Sequence, residues 1–409
     1  MKVCFETFGC RLNKAEALQM EADYIAKGWE VTTTHEDAQM IVVRGCSVTE
    51  SAQRDCERLI AHLKRKYPTT PLRLCGCLDL KRLRNLGFES KELPLAAVES
   101  LRRRRNRQSS SAAADTPVPT RTARAYLKVQ DGCAGICAFC IVPKFRGKSV
   151  SVPFSDALDR AKRFIDAGYH EIVVTGCNLS LYASDGQRLP ELLAALAELD
   201  PVGCRIRLGS VEPGACARET VHAMSEHENV CRFLHIPVQS GSSMILRAMG
   251  RPYQPRDVDL LASEARKLMP KICLGCDLMT GFPGETDLEH RASVAMVNRL
   301  HFANAHVFPF SMRPGTPAAK LKDSVSSIQK SKRAHELIRL TTSIREEFAK
   351  SFLGKKVAFV VEDAEKSAGW TSEYLRCRPL VGTAERKSLV GLLVTKVEAD
   401  RLYGRLVKA

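Results

Sequence analysis

The sequence predicts an α/β protein of three units: a small N-terminal α/β domain, a central full or partial parallel barrel, and a compact C-terminal β module. Three observations carry this reading. Short apolar runs alternate with helical stretches up to about residue 101, strand and helix then repeat roughly six times from about Ala123 to Arg345, and the last strands follow one another without helices between them. The 409 residues are enough for two to three domains with ample core.

In residues 1–101 the runs Val3 to Phe8, Met40 to Val43 and Leu72 to Leu74 read as strands, separated by the helical stretches Ala15 to Lys27 and Ser51 to Lys66. Such alternation predicts a parallel sheet. Residues 102–122 open on Arg102 to Arg105 and Arg107 and continue in Gln, Ser, Ala, Thr and Pro. This is the composition of a basic, solvated interdomain linker, with contact to RNA backbone as the alternative.

In residues 123–350, strands are expected at Tyr126 to Val129, Glu171 to Val174, Arg205 to Leu208, Arg232 to Val238, Ile272 to Met279 and Ala305 to Phe308. Helices fall between them. In the first, Ser155 reads as N-cap, Leu158, Ala161, Phe164 and Ile165 form the apolar stripe, and Gly168 marks the stop. Right-handed crossovers curl such a sheet and gather chemistry at the carboxyl ends of its strands. Residues 351–409 hold strands at Lys356 to Val361, Ser388 to Val397 and Arg401 to Val407, consistent with a small barrel. Trp370, Tyr374 and Tyr403, set among basic residues, are candidates for stacking on bases; packing inside the module is the commoner use of such aromatics.

A net charge of +16, from 62 basic against 46 acidic residues, points to a polyanionic partner. The chain has neither a basic segment followed by an apolar leader nor an 18-residue apolar run, so no membrane association and a cytoplasmic location are expected. Thiols stay reduced there. Some of the 16 cysteines then read as metal or redox groups and the rest as small buried hydrophobes.

Cys133, Cys137 and Cys140, at x3 then x2 spacing, can hold three irons of a 4Fe-4S cluster and leave the fourth open. Zinc would take four ligands, and no fourth cysteine or histidine follows at a conventional spacing, which makes it the weaker reading. A disulfide would need an oxidising compartment. A second, dispersed set is Cys10, Cys46 and Cys77, each just past an expected strand. If that sheet is parallel, the three loops emerge at one edge, where ligands converge. Two uses stay open for them: a second cluster, or three structural cysteines. An electron carrier or RNA-binding iron-sulfur protein would need complete clusters, which two sets of three do not supply.

The segments Gly9-Cys-Arg-Leu-Asn13, Cys46-Ser-Val-Thr49, Gly76-Cys77, the Cys133 loop through Ile141-Val-Pro-Lys-Phe-Arg-Gly147 and Arg207-Leu-Gly-Ser-Val-Glu-Pro213 resemble the radical SAM (S-adenosylmethionine) methylthiotransferase family. So do His235-Ile-Pro-Val-Gln-Ser-Gly241, Gly281-Phe-Pro-Gly-Glu-Thr286 and the run from His306 to Pro317. The resemblance spans essentially the whole chain. It implies an N-terminal domain holding an auxiliary 4Fe-4S cluster, a partial (β/α)6 radical SAM barrel, and a TRAM-like C-terminal domain that binds substrate. Carried over residue by residue, Cys10, Cys46 and Cys77 become the auxiliary ligands, Cys133, Cys137 and Cys140 the ligands of the SAM cluster, and Cys75 a structural neighbour. Arg44-Gly45 stands where the family usually has Asn-Thr, and the tail from Gly369 to Tyr374 matches only loosely.

Branches of the family act on isopentenyladenosine in tRNA, on threonylcarbamoyladenosine at tRNA position 37, or on a ribosomal-protein aspartate. Asn13 followed by Ala15-Glu16, and Gln130-Asp131-Gly132, look most like the threonylcarbamoyladenosine branch. The implied reaction uses SAM twice, once to generate a radical that activates carbon 2 of the adenine and once to methylate the inserted sulfur. A low-potential electron donor of flavodoxin or ferredoxin type is implied as partner. Candidate SAM contacts at the strand ends are Gly176, Asn178, Ser210, Glu212 and Gln239, while His235 and His306 are expected to be structural or supporting.

Overall fold

The computed structural model describes residues 1–85, 118 and 121–408. Most of the expected linker, 102–122, therefore lies outside the described residues. The N-terminal unit comprises β1 (Lys2–Thr7), α1 (Arg11–Ile25), β2 (Glu30–Thr32), β3 (Met40–Cys46), α2 (Glu50–Lys66), β4 (Leu72–Cys77) and α3 (Leu80–Asn85). Its sheet is parallel throughout, in the order β2-β1-β3-β4. Helix α1 starts a turn before the expected Ala15, because its first turn, Arg11 to Lys14, is largely polar and carries no apolar period. Strand β2 escaped the sequence reading because three residues show no alternation. At α2, Thr49 caps the Ala52 amide at 3.2 Å, and Lys64 to Lys66 complement the helix C-terminus.

The central unit places β5 (Ala125–Lys128), β8 (Glu171–Thr175) and β11 (Arg205–Leu208) in one parallel arc, and β12 (Phe233–Gln239), β13 (Cys273–Thr280) and β14 (Asn304–Pro309) in another. Isolated parallel bridges Ile206 to Val230 and Ser210 to His235 join the arcs. Six strands in chain order thus form the expected partial barrel. Between β5 and β8 an antiparallel pair, β6 (Gln130–Asp131) with β7 (Val150–Ser151), closes the base of the cysteine loop, which carries α4 (Val142–Arg146).

Helices α5 (Phe154–Asp166), α6 (Leu189–Glu198), α7 (Ala215–Glu226), α8 (Ser243–Ala248), α9 (Pro255–Leu268) and α10 (Asp287–Leu300) connect the strands, with the short pair β9 (Ala183–Ser184) and β10 (Gln187–Arg188) before α6. The N-cap of α5 is Pro153 rather than Ser155, since the fixed φ of proline already sets the entry and Ser155 falls inside the first turn. The stop at Gly168 is as expected: at φ +74° its amide bonds Ile165 O at 2.8 Å, and the Tyr169 amide bonds Phe164 O at 3.1 Å.

Leu127, Ile172, Val174, Ile206, Leu208, Leu234 and Leu274 bury the outer face of the strands against these helices. The alternate residues point to the concave side, where Ala15 and Leu18 of α1 pack on Tyr126 and Val173. The N-terminal unit thereby leans into the open barrel.

Helix α11 (Ser327–Lys350) leads to a closed five-stranded barrel of β15 (Lys356–Asp363), β16 (Ala368–Thr371), β17 (Arg376–Val381), β18 (Leu389–Glu398) and β19 (Arg401–Val407), ordered β15-β16-β17-β19-β18. Strands β16 and β17 are additions to the three expected. Tyr374, between them, faces inward: its ring stacks on Trp370 at 4.6 Å and on Phe233 of β12 at 4.7 Å. It ties this barrel to the central one instead of offering a platform to bases.

Candidate active site

Cys46 ends β3 and Cys77 ends β4, paired in register, and Cys10 caps α1 just past β1. All three lie at the carboxyl edge of the sheet. A tight glycine allows the approach: Gly9 adopts φ +93°, and a Cβ on it would come within 2.8 Å of Cys46 Cβ. Burial first, then the Cys77 and Cys10 thiols, push Cys46 up to about 11. Cys75 points away from this group, toward Arg44 and Met20. Arg44 pairs with Glu16.

In the second triad, the Gly135 amide donates to Cys133 Sγ at 3.2 Å, and the Ala138 amide to Met249 O at 2.8 Å. A Cβ on Gly135 would stand 3.1 Å from Cys133 Sγ and 3.7 Å from Cys137 Sγ, so a larger residue would crowd the thiols. Burial and the thiols of Cys137 and Cys133 push Cys140 up to about 11. Arg251, which the sequence reading missed, donates to Cys137 Sγ at 2.9 Å and pairs with Glu212. Glu212 in turn accepts from Asn178 Nδ2 at 2.7 Å. Two of the candidate SAM contacts are therefore wired to the cysteine loop through one guanidinium.

Gly176 packs against Gln130, whose Oε1 accepts the Asn178 amide at 2.9 Å. Ser210 is exposed at the bridge to β12. Gln239 follows a bulge at the end of β12 with φ +65°, and its Oε1 is buried with no hydrogen-bond partner among the described residues. A buried amide oxygen in that state is open to a donor from a ligand or a water. His235 Nε2 and His306 Nδ1 both bond Asp277 Oδ1, at 3.0 and 3.1 Å, on the concave face below this layer.

Comparison with known proteins fits this geometry. Residues 127–297 match the Radical SAM superfamily and residues 2–93 match a family described as Uncharacterized protein family UPF0004. The chain is 30% identical over 378 residues to Threonylcarbamoyladenosine tRNA methylthiotransferase MtaB of Thermotoga maritima, covering 88% of this chain and 86% of that one. The chain belongs to the radical SAM methylthiotransferase family. The same-named enzyme of Bacillus subtilis is 29% identical over 91% of this chain and 89% of its own. A tRNA-2-methylthio-N(6)-dimethylallyladenosine synthase of Fervidobacterium nodosum is 30% identical over 100% and 99%. The fold of this methylthiotransferase is similar to that of the radical SAM methyltransferase TsrM of Kitasatospora setae, with TM-score 0.53, 15% identity, and 78% and 76% of the two chains covered.

Membership of the Radical SAM superfamily brings a 4Fe-4S cluster and S-adenosylmethionine as cofactors. The residues fit them. The Cys133 loop already aims a glycine amide at one of its three sulfurs, and the unpartnered Gln239 oxygen lies at the carboxyl end of β12. Among the described residues, neither triad draws its three sulfurs within 4.8 Å of one another, wider than the ~3.8 Å that zinc-sulfur bonds of ~2.3 Å impose. No described helix is long and apolar enough to cross a membrane.

Proposed function

We propose that this methylthiotransferase inserts a methylthio group at carbon 2 of N6-threonylcarbamoyladenosine at position 37 of tRNA, in the cytoplasm, with Cys133, Cys137 and Cys140 holding the SAM cluster and Cys10, Cys46 and Cys77 holding a second 4Fe-4S cluster. The observation that carries the two-site reading is the placing of both triads at the carboxyl edges of sheets that meet through α1. When bound, the cluster and SAM supply one-electron chemistry able to open an unactivated aromatic carbon-hydrogen bond, for which no acid or nucleophile has a handle.

The chain's own residues provide the rest. Asn178, Glu212, Ser210, Gln239 and the tight backbone at Gly176 receive SAM, with Asn178 and Glu212 bonded to each other at 2.7 Å. Arg251 holds Glu212 and Cys137 together, so ligand contact and cluster contact move as one. Packing of α1 on Tyr126 and Val173 of the concave face supports a reading in which sulfur donor and activated carbon are held close, so that proximity replaces diffusion. A low-potential flavodoxin or ferredoxin supplies electrons.

Two cubanes correspond to about eight irons per chain after anaerobic reconstitution. Substituting Cys10, Cys46 and Cys77 by alanine halves that count, and a count unaffected by the triple substitution sinks the second cluster. Mass analysis of tRNA nucleosides from cells lacking the protein tests the substrate: loss of 2-methylthio-threonylcarbamoyladenosine supports it. The second reading, a dimethylallyladenosine substrate, is favoured by the similarity to the Fervidobacterium enzyme. Loss of the methylthio form of that nucleoside instead reassigns the branch, while unchanged tRNA with an unmodified ribosomal-protein aspartate removes RNA as substrate.

A further inference from the structure

Arg146 closes α4, in the loop that carries Cys133, Cys137 and Cys140, and its side chain is only 6% exposed. Every nitrogen of its guanidinium has an acceptor. Nε donates to Cys77 Sγ at 3.0 Å, Nη1 to Asp131 Oδ1 at 2.9 Å and Glu16 Oε1 at 3.0 Å, and Nη2 to Asn13 Oδ1 at 2.8 Å and Glu16 Oε2 at 3.0 Å. Asn13 in turn donates to Phe8 O at 2.8 Å and Gly45 O at 2.9 Å. One side chain from the SAM-cluster loop therefore grips Cys77 directly, and through Asn13 the backbone just before Cys10 and just before Cys46.

The charges around it do not cancel. Glu16 and Asp131 are the carboxylates, while Arg44, Lys128 and Arg146 are the cations that bond them. Two negatives face three positives in a largely buried network, and the Arg146 guanidinium also points an N–H at a sulfur. An anionic sulfur at Cys77, which cluster ligation would supply, would restore the balance. N–H···S bonds and nearby positive charge favour the more negative, reduced form of a cluster and raise its potential.

We propose that Arg146 is a positioning residue that couples the two cysteine sites, fixing Cys77 against the SAM-cluster loop and stabilising negative charge on the cluster held there. The proposal rests on the two-cluster reading above.

The test uses the reconstituted full chain with Arg146→Gln and Arg146→Lys. Gln removes the charge, whereas Lys keeps it but cannot reproduce the planar fork that spans Cys77, Asp131 and Asn13. Two quantities are read: the auxiliary-cluster potential by EPR-monitored titration, and the ratio of methylthiolated product to 5'-deoxyadenosine. Arg146→Gln is expected to lower the potential and reduce the ratio by about 10–100-fold, the usual range for a partner of metal ligands. Arg146→Lys is expected to hold the potential near the wild-type value while the ratio still falls. An unchanged potential in Arg146→Gln at full iron content overturns the electrostatic role, and an unchanged ratio in both variants overturns the coupling. If Arg146→Gln does not retain the auxiliary iron, the lysine variant decides: a wild-type ratio overturns the proposal and a reduced ratio at wild-type potential supports it. A wild-type chain with only about four irons fails the two-cluster reading itself, a result distinct from either.

Discussion

Glu171 shows what a single residue contributes to joining the units. Its carboxylate is fully buried and bonds Arg205, Arg207 and Arg124, with Arg207 Nε at 2.7 Å. Arg207 continues to Thr371 O at 2.7 Å and Ser372 O at 3.0 Å, and Arg124 to Glu362 at 2.7 Å, so the C-terminal barrel hangs on this cluster. Burial pushes the Glu171 carboxyl up, but the three guanidiniums outweigh it and hold it well below the ordinary carboxylate range. Glu171→Gln leaves buried guanidiniums uncompensated and is expected to cost about 3–5 kcal/mol at pH 7. A carboxyl lowered on folding stabilises above its unfolded pKa of ~4.3 and loses that contribution as pH falls below it. The deficit of the variant should therefore shrink between about pH 5 and the acid limit, read as converging urea midpoints. A residue-scale test at the site is Arg251→Gln, which frees Glu212 and Cys137 together. We expect SAM affinity to fall about 10–100-fold by equilibrium dialysis; unchanged affinity would detach Arg251 from the ligand site. Neither arginine role was legible from sequence, because Arg251 is 114 residues from Cys137 and lies in no recognisable pattern, whereas Arg146, 69 residues from Cys77, at least fell inside the motif that follows the cysteine loop.

At the scale of elements, legibility followed length and periodicity. The six barrel strands emerged from the sequence because they recur between helices, most of them as buried apolar runs, although β11 alternates Arg with Ile and Leu and β14 is only half-buried, and the end of the first strand located the Cys133 loop. β16 and β17 did not emerge, since Gly369 and Pro379 interrupt them and their inward residues are few. The turn between them is nevertheless the plug of the central barrel. Tyr374, at φ +63°, stacks between Trp370 and Phe233 with Arg11 and Arg207 over its ring at 5.2 and 5.1 Å. Three units meet on one phenol. Tyr374→Ala is expected to cost about 3 kcal/mol, and the loss should appear as faster protease cleavage of the C-terminal barrel from the rest. Tyr374→Phe keeps the stacking and should resist cleavage nearly as the wild type does; equal sensitivity of both variants would mean that the hydroxyl, not the ring, holds the turn.

For the whole molecule, the surplus of +16 is a statement about partners that the fold alone does not make. Charge was legible from composition, but not its arrangement. The barrel at the C-terminus sets Arg376 beside Arg401 and Arg378 beside Tyr403 in register on neighbouring strands, with Arg405 further along. All four arginines are exposed. The pairing is parallel, so these side chains share one outer face, and the guanidinium of Arg378 lies 5.3 Å from the Tyr403 ring centre. Such a face suits phosphates better than bases, because the aromatic rings beneath it are largely covered. Replacing Arg376, Arg378, Arg401 and Arg405 by glutamate should weaken tRNA binding and flatten its salt dependence, by a slope of about 0.7–0.9 for each phosphate that is no longer neutralised. Filter binding between about 50 and 200 mM salt measures it. A lower affinity with an unchanged slope would mean that the variant has perturbed folding rather than phosphate binding, and an unchanged affinity would move the RNA-binding surface to the mouth of the central barrel. Weaker binding with a flatter slope is expected, since the strand edge proposed to carry the cofactors must stay clear for the modified base while another surface holds the rest of the tRNA.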